Sequence, residues 1–146
     1  MKGLAVYFVS KNDFISQFKE NESLYQQAKT FWKHLEGLSL GYYAIAILLG
    51  IALAWWYYKP FNETPGRHYL PKYWCYFLIG SGFAAAFLTF VLEIIVAKPQ
   101  LDGAWWVEAQ VALINAVYTV VLYLLVSILW CVSNKTNAYP FYKIFK

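Results

Sequence analysis

Three apolar runs dominate this chain. Leu40 to Tyr58 and Val111 to Val132 contain no charged residue, and Cys75 to Ala97 contains one, Glu93. A helix needs about 20 such residues to cross a hydrocarbon core about 30 Å thick, because a spanning segment must satisfy its own backbone hydrogen bonds. Each run meets that length. The sequence is therefore read as an all-α integral membrane protein with three transmembrane helices, preceded by an N-terminal amphipathic helix. Two spans would leave an apolar run in water, and a fourth has no room, since Met1 to Ser39 carries nine charged residues. The expected organisation is a tail with the amphipathic helix over 1–39 and a three-span domain over 40–132. Its spans cover about 40–58, 75–97 and 111–132, and a short basic, aromatic tail follows over 133–146.

Composition agrees. Hydrophobic residues make up 60% of the chain and charged residues 14%, against about 45–50% and 25% in soluble domains. Aromatic placement marks the expected borders. Tyr42 and Tyr43 open the first run and Trp55 to Tyr58 close it. Tyr73, Trp74 and Tyr76 open the second, Trp105 and Trp106 precede the third, and Trp130 closes it. Trp and Tyr favour the headgroup level, where an apolar ring and a polar atom are both accommodated. Six of the seven Trp are thus expected at interfaces, with Trp32 just ahead of one.

Twelve Lys and Arg stand against eight Asp and Glu. The cations are scattered singly between apolar runs and form no stripe interleaved with stacking aromatics, which excludes a nucleic-acid partner. Lys and Arg within about 20 residues of a span number four on the side of the N-tail and second loop. Six lie on the side of the first loop and C-tail, which favours a cytoplasmic C-terminus. The start, Met1 to Val9, imitates a short signal peptide. It lacks a small-residue cleavage site and is expected to be retained.

Between the first two runs, Lys59 to Lys72 holds three prolines and a glycine, and reads as a structured turn rather than a helix. Lys98 to Gly103 is a second break. Ahead of the first run, Asp13 to Glu36 reads as one helix. Phe14, Phe18, Tyr25, Ala28, Trp32 and Leu35 form its apolar stripe, and Lys19, Glu20, Glu22, Gln26, Lys29 and Lys33 lie opposite. Ser10 or Asn12 is the expected cap. The stripe Phe14, Phe18, Tyr25, Trp32 and Leu35 is expected to pack in the interface or on a neighbouring subunit.

Small and polar residues recur every fourth position within the spans. Ala46, Gly50 and Ala54 form such a face in the first. Ser81, Ala85 and Thr89 lead to Glu93 in the second, and Asn115, Thr119, Tyr123, Ser127 and Cys131 follow in the third. Lipid supplies no hydrophobic drive for helix association, so close approach and interhelical hydrogen bonds must supply it. These faces read as packing surfaces, and the third also as a wetted lining in a ring of identical subunits. One three-span chain is not expected to satisfy three such stripes alone. That argues for an oligomer or a larger complex. Glu93, four residues from the end of its run, is expected to snorkel toward water or Lys98, the alternative for an intramembrane acid being an ion path, a proton relay or an interhelical partner.

Enzyme signatures are missing. His34 and His68 both lie outside the spans, against axial haem ligation, and no zinc-protease, phosphate-loop or serine-hydrolase motif occurs. Small membrane lipid kinases share the layout, but layout carries no weight. Such an enzyme also needs several acids around Mg²⁺, and only Glu93 and Glu108 lie near the membrane. Asn62-Glu63-Thr64 and Asn134-Lys135-Thr136 match a glycosylation acceptor but crowd the membrane border, and are set aside. Cys75 and Cys131 are too few for a disulfide framework, and no native disulfide is expected. No catalytic residue, cofactor or metal site is expected. The expected partners are the lipid bilayer and copies of the chain itself or another membrane or envelope protein. The expected role is a non-enzymatic, membrane-embedded structural or anchoring subunit. A small homo-oligomeric pore, holin-like or defence-type, is second, and an accessory subunit of a membrane enzyme is third.

Overall fold

The computed structural model describes residues 10–63, 65 and 70–134, the last three by backbone alone. The signal-like start, most of the C-terminal tail and the centre of the first loop lie outside the described residues. Every regular element among those described is helical: α1 (Lys11–Ser16), α2 (Glu22–Gly37), α3 (Ser39–Trp56) with a π-helical turn (Tyr57–Phe61), α4 (Pro71–Val96) and α5 (Ala104–Asn134). Three helical stretches, Glu22–Phe61, Pro71–Val96 and Ala104–Cys131, are long and apolar enough to cross a membrane. The chain divides into two compact units, Met1–Ile45 with Ala86–Asn115 and Ala46–Ala85 with Ala116–Lys146. The division falls inside each of the three long helices.

In the first unit the N-terminal segment is not one helix. It breaks between Ser16 and Glu22, because Asn21 takes an extended conformation and its side-chain oxygen accepts from the backbone N–H groups of Ser23 and Leu24. That cap satisfies two of the donors a helix start leaves open. Ser10 caps α1 in the same manner, through the N–H of Asp13. The break lets α1 fold back, so that the Phe14 ring lies 5.6 Å from Phe31 and 6.0 Å from Trp32. The Trp32 indole donates to Glu36 at 2.9 Å, and Lys11 pairs with the same carboxylate at 3.6 Å. This ion pair is largely exposed and contributes about 0–1 kcal/mol, so the aromatic contacts carry the hairpin. Phe14, Trp32 and Leu35 are buried, Phe18 and Tyr25 half-buried, and the six polar residues of the opposite face all exposed. Phe31, fully buried, belongs to the same core although it stood outside the expected stripe.

In the second unit the first loop is shorter than its prolines suggest. α3 runs on through Pro60 as a wider π turn, which absorbs the missing N–H and the ring clash of a proline inside a helix. The Asn62 side-chain amide donates to the carbonyl of Tyr57, so the first glycosylation-like asparagine is buried at a helix end. Pro71 opens α4, a position where its lack of an N–H costs nothing. Ala54, Tyr57, Tyr58, Trp74, Tyr123 and Cys131 form the core of this unit. Two of the expected interfacial tryptophans turn inward. The Trp74 indole donates to Ser127 Oγ at 3.3 Å, and Trp130 stacks on Tyr58 at 5.9 Å. Trp55, Trp56, Trp105 and Trp106 remain exposed, as a headgroup belt requires. Cys75 and Cys131 are both free thiols.

Close approach in the second unit centres on Gly50. A Cβ there would sit 2.9 Å from Leu122 Cβ and 3.2 Å from the Thr119 carbonyl oxygen, whereas one at Gly80 would meet nothing within 4 Å. Gly50→Ala is therefore expected to lower stability in detergent by about 1–3 kcal/mol through overpacking. Gly80→Ala is expected to leave it unchanged or raise it slightly. Equal thermal melts for the two variants would show that Gly50 is not a contact point.

Candidate functional site

The four-residue stripes are the inward faces of the helices. Ala46, Gly50, Ala54, Ser81, Ala85, Thr89, Glu93, Asn115, Thr119, Tyr123 and Ser127 are all buried within the single chain. One chain therefore covers the residues of all three stripes but does not satisfy every group on them: the Tyr123 hydroxyl and both Glu93 oxygens find no hydrogen-bond partner within it. An i, i+4 row follows one side of a helix, which puts the residues of each stripe on one face.

Within the second unit the enclosed polar groups are drawn together. Ser127 receives the Trp74 indole, and the Cys131 thiol donates to Tyr58 Oη at 3.7 Å. The Ser81 hydroxyl donates back to the Leu78 carbonyl at 2.7 Å, which disposes of a serine inside a helix without a partner helix. Within the first unit, the Asn115 amide donates to Thr89 Oγ1 at 2.7 Å. That is an interhelical bond between α4 and α5 of the kind that replaces the hydrophobic drive in lipid.

Glu93 does not snorkel. Its side chain is fully buried, and it makes no ion pair among the described residues. Side chains on a helix lean toward its N-terminus. Near the C-terminal end of α4 that direction leads away from Lys98 and back into the helix packing. Both Glu93 oxygens lack a hydrogen-bond partner of full geometry, as does the buried hydroxyl of Tyr42 on α3, although the two groups are near enough to interact. Glu108 on α5, 1% exposed, lies within electrostatic range of Glu93.

The break after α4 closes over these groups. Gln100 Nε2 donates to Glu108 Oε1 at 3.2 Å, to the Ala97 carbonyl at 3.2 Å and to the Ile94 carbonyl at 3.4 Å. His34 Nδ1 lies 2.6 Å from the Lys98 carbonyl, which only accepts, so Nδ1 carries the proton of this bond and ties α2 to the break. Tyr42, Glu93, Glu108 and Gln100 thus form a polar cluster drawn from three helices and the connection between two of them. A groove of about 330 Å³ elsewhere in this unit, lined by Ser10, Asp13, Gln17, Trp106 and Gln110 among others, is mixed in character. No group of three or more His, Cys, Asp or Glu suited to a metal occurs among the described residues.

Tyr42, Glu108 and Gln100 were not among the expected site residues, yet a signal existed for two of them. Tyr42 stands four residues before Ala46 and continues the first stripe outward. Glu108 stands seven before Asn115 and continues the third. For Gln100, in an irregular break, periodicity offers nothing.

The Asn115–Thr89 bond has a direct test. Asn115→Leu and Thr89→Val are each expected to destabilise the folded chain in detergent. The double variant is expected to show a coupling energy of about 0.5–2 kcal/mol. Strict additivity would mean that the bond contributes nothing. Among known proteins the chain has no match: no family model, no curated protein and no solved structure is similar to it.

Proposed function

We propose that this chain is a non-enzymatic, multi-pass membrane subunit that anchors or scaffolds a larger assembly. The observation that carries the reading is the direction of its polar groups. Asn115, Thr119, Tyr123 and Ser127, the residues a water-filled lining would need, are each no more than 1% exposed and are enclosed within one chain. A homo-oligomeric pore built on that face would have to unpack the core, which places the pore second. The surfaces left for partners are the apolar outer faces of the spans, with Ile47, Phe83, Phe87 and Leu125 among their exposed residues. The charges of α2 and of the turn before it are the other, with Lys19 and Glu20 exposed in the turn and Glu22, Lys29 and Lys33 exposed on the helix. Bilayer lipid covers the first. The second suits a polar partner surface of mixed charge, on another copy or on a different membrane or envelope protein. The Lys and Arg distribution favours a cytoplasmic C-terminus.

Purification of the full chain from its own membranes in a mild detergent, followed by mass measurement, tests this reading. The protein component is expected to exceed the 17.0 kDa of one chain. Lys29→Glu combined with Lys33→Glu is expected to release the partner while membrane insertion is retained. A single chain alone would overturn the anchoring role. Cysteines placed at Thr119 and Ser127, in a background lacking Cys75 and Cys131, are expected to resist a membrane-impermeant thiol reagent. Rapid labelling of both, with collapse of the membrane potential, would establish the pore instead. For orientation, Cys75 is expected to stay unlabelled on intact cells and to react once membranes are opened. Labelling on intact cells would reverse the topology.

A further inference from the structure

Several polar side chains of the first unit are engaged by their own fold. Glu36 holds the Trp32 indole and Lys11, Gln100 reaches Glu108 and the carbonyls of Ile94 and Ala97, and Asn115 donates to Thr89. One place differs. The groove between α1 and the start of α5 encloses about 330 Å³, at the small end of the range of about 300–1,000 Å³ that ligand sites occupy. Asp13, Phe14 and Gln17 line it from α1 and its C-cap, and Trp106, Val107 and Gln110 line it from α5. Phe14 and Val107 are buried and form its apolar part. The Asp13 carboxylate, the two glutamine amides and the Trp106 indole N–H make no hydrogen bond or ion pair among the described residues. The Phe14 ring holds α1 against α2, so the hairpin does not call on these four groups.

The place of the groove along α5 identifies what it meets. Gln110 directly precedes the apolar run that begins at Val111, and Trp105 and Trp106 are exposed just ahead of it. Indole rings favour that depth, among lipid headgroups rather than acyl chains. A lining that is part apolar and part polar matches the chemistry there. Phe14 and Val107 suit the glycerol and the first methylenes of a lipid, and the polar groups suit its headgroup. Charge narrows the choice. Asp13 is the charged residue among the described ones that line the groove. Asp102, next in the chain to Gly103 of the α5 wall, is an acid too, and Lys11, the basic residue of α1, is paired with Glu36. An anionic headgroup would meet like charge here. An ammonium group would meet a carboxylate and, at Trp106, the ring that attracts cations best. The glutamine amides supply N–H donors that a phosphate accepts.

We propose that the groove between α1 and α5 binds the headgroup of one zwitterionic, ammonium-bearing phospholipid, with the ammonium at Asp13 and Trp106 and the phosphate at the amides of Gln17 and Gln110. The lipid ties the N-terminal hairpin to the third span at the membrane border. The site is independent of the anchoring role and stands or falls by itself.

The test uses the full chain, delipidated in a mild non-ionic detergent, with lipid adducts counted by native mass spectrometry. Dioleoyl phosphatidylethanolamine, phosphatidylcholine and phosphatidylglycerol are titrated separately, so that the acyl chains stay constant and the headgroup alone differs. A first adduct that saturates at one lipid per chain is expected for the two zwitterionic lipids. Phosphatidylglycerol is expected to bind about fivefold more weakly, the scale of one partly exposed charge contact. Tighter binding of phosphatidylethanolamine than of phosphatidylcholine would add hydrogen bonds from a primary ammonium to the charge contact. Equal binding would leave the charge contact alone, and both results uphold the site. Asp13→Asn keeps the shape of an exposed side chain, removes its charge and is expected to erase the preference. Asp13→Lys is expected to reverse it toward phosphatidylglycerol, and Trp106→Leu to weaken the zwitterionic lipids. Glu63→Gln, at an exposed acid beyond the other end of α3, is expected to leave the preference intact. Equal affinity for all three headgroups, a wild-type preference for phosphatidylglycerol, or a preference undiminished in Asp13→Asn would each overturn the proposal.

Discussion

In a bilayer, an apolar side chain gains nothing by turning away from lipid, so helices must be held by what lipid cannot offer. The architecture follows from that constraint. The outward faces of the spans carry Leu, Ile, Val and Phe, and the inward faces carry Ala, Gly, Ser, Thr and Asn together with the rings of Tyr42, Tyr57, Tyr58, Trp74 and Tyr123. A soluble domain instead keeps its large aliphatic residues inside. The packing of the spans works by two means that are visible at separate places. At Gly50 the absence of a side chain lets one backbone come within contact distance of the Thr119 carbonyl, which multiplies dispersion contacts. At Asn115 and Thr89 two polar side chains find each other, and neither is left to face hydrocarbon.

The same constraint sorts the aromatic residues. Trp55, Trp56, Trp105 and Trp106 are exposed and stand at the ends of the apolar runs, the level that indole rings favour in a membrane. Trp74 and Trp130 stand at equivalent positions along their helices but face inward, one donating to Ser127 and one stacked on Tyr58. Position along the helix places a tryptophan at the interface; its angle around the helix decides whether it serves lipid or core. Trp74 lies seven residues before Ser81 and so shares the polar face of α4.

That angle was also the legible part of the site. The three spans and the inward stripes could be read from run length and four-residue spacing, since both are properties of a single helix. Extending the stripes outward by one step would have reached Tyr42 and Tyr58 on the first helix, and by two turns Glu108 on the third. Three features resisted. The helix break at Asn21 depends on a local choice between continuing a helix and capping a new one, and the apolar spacing was compatible with both. The π turn through Pro60 overrides the usual reading of proline as a stop, because the Asn62 amide takes up the Tyr57 carbonyl. The burial of Glu93 turned on the lean of its side chain toward the helix start. Near a C-terminal end this reverses the expectation that proximity to the border means access to water.

Enclosing the stripes within one chain changes what can be asked of an assembly. Had the polar faces been open, oligomerisation would have been demanded by the need to satisfy them, and its geometry would have been set by the third helix. With those groups covered inside, association would instead be specified by groups outside the apolar spans, because a face of Leu and Phe is as content against acyl chains as against another helix. The exposed charged side of α2 is such a surface. It is presented by a helix held over its C-terminal half, where Phe31 and Trp32 meet Phe14 and His34 bonds the Lys98 carbonyl. A partner meeting that side would find a prepared surface and would lose little to ordering it, which is the condition under which a modest set of polar contacts yields stable binding.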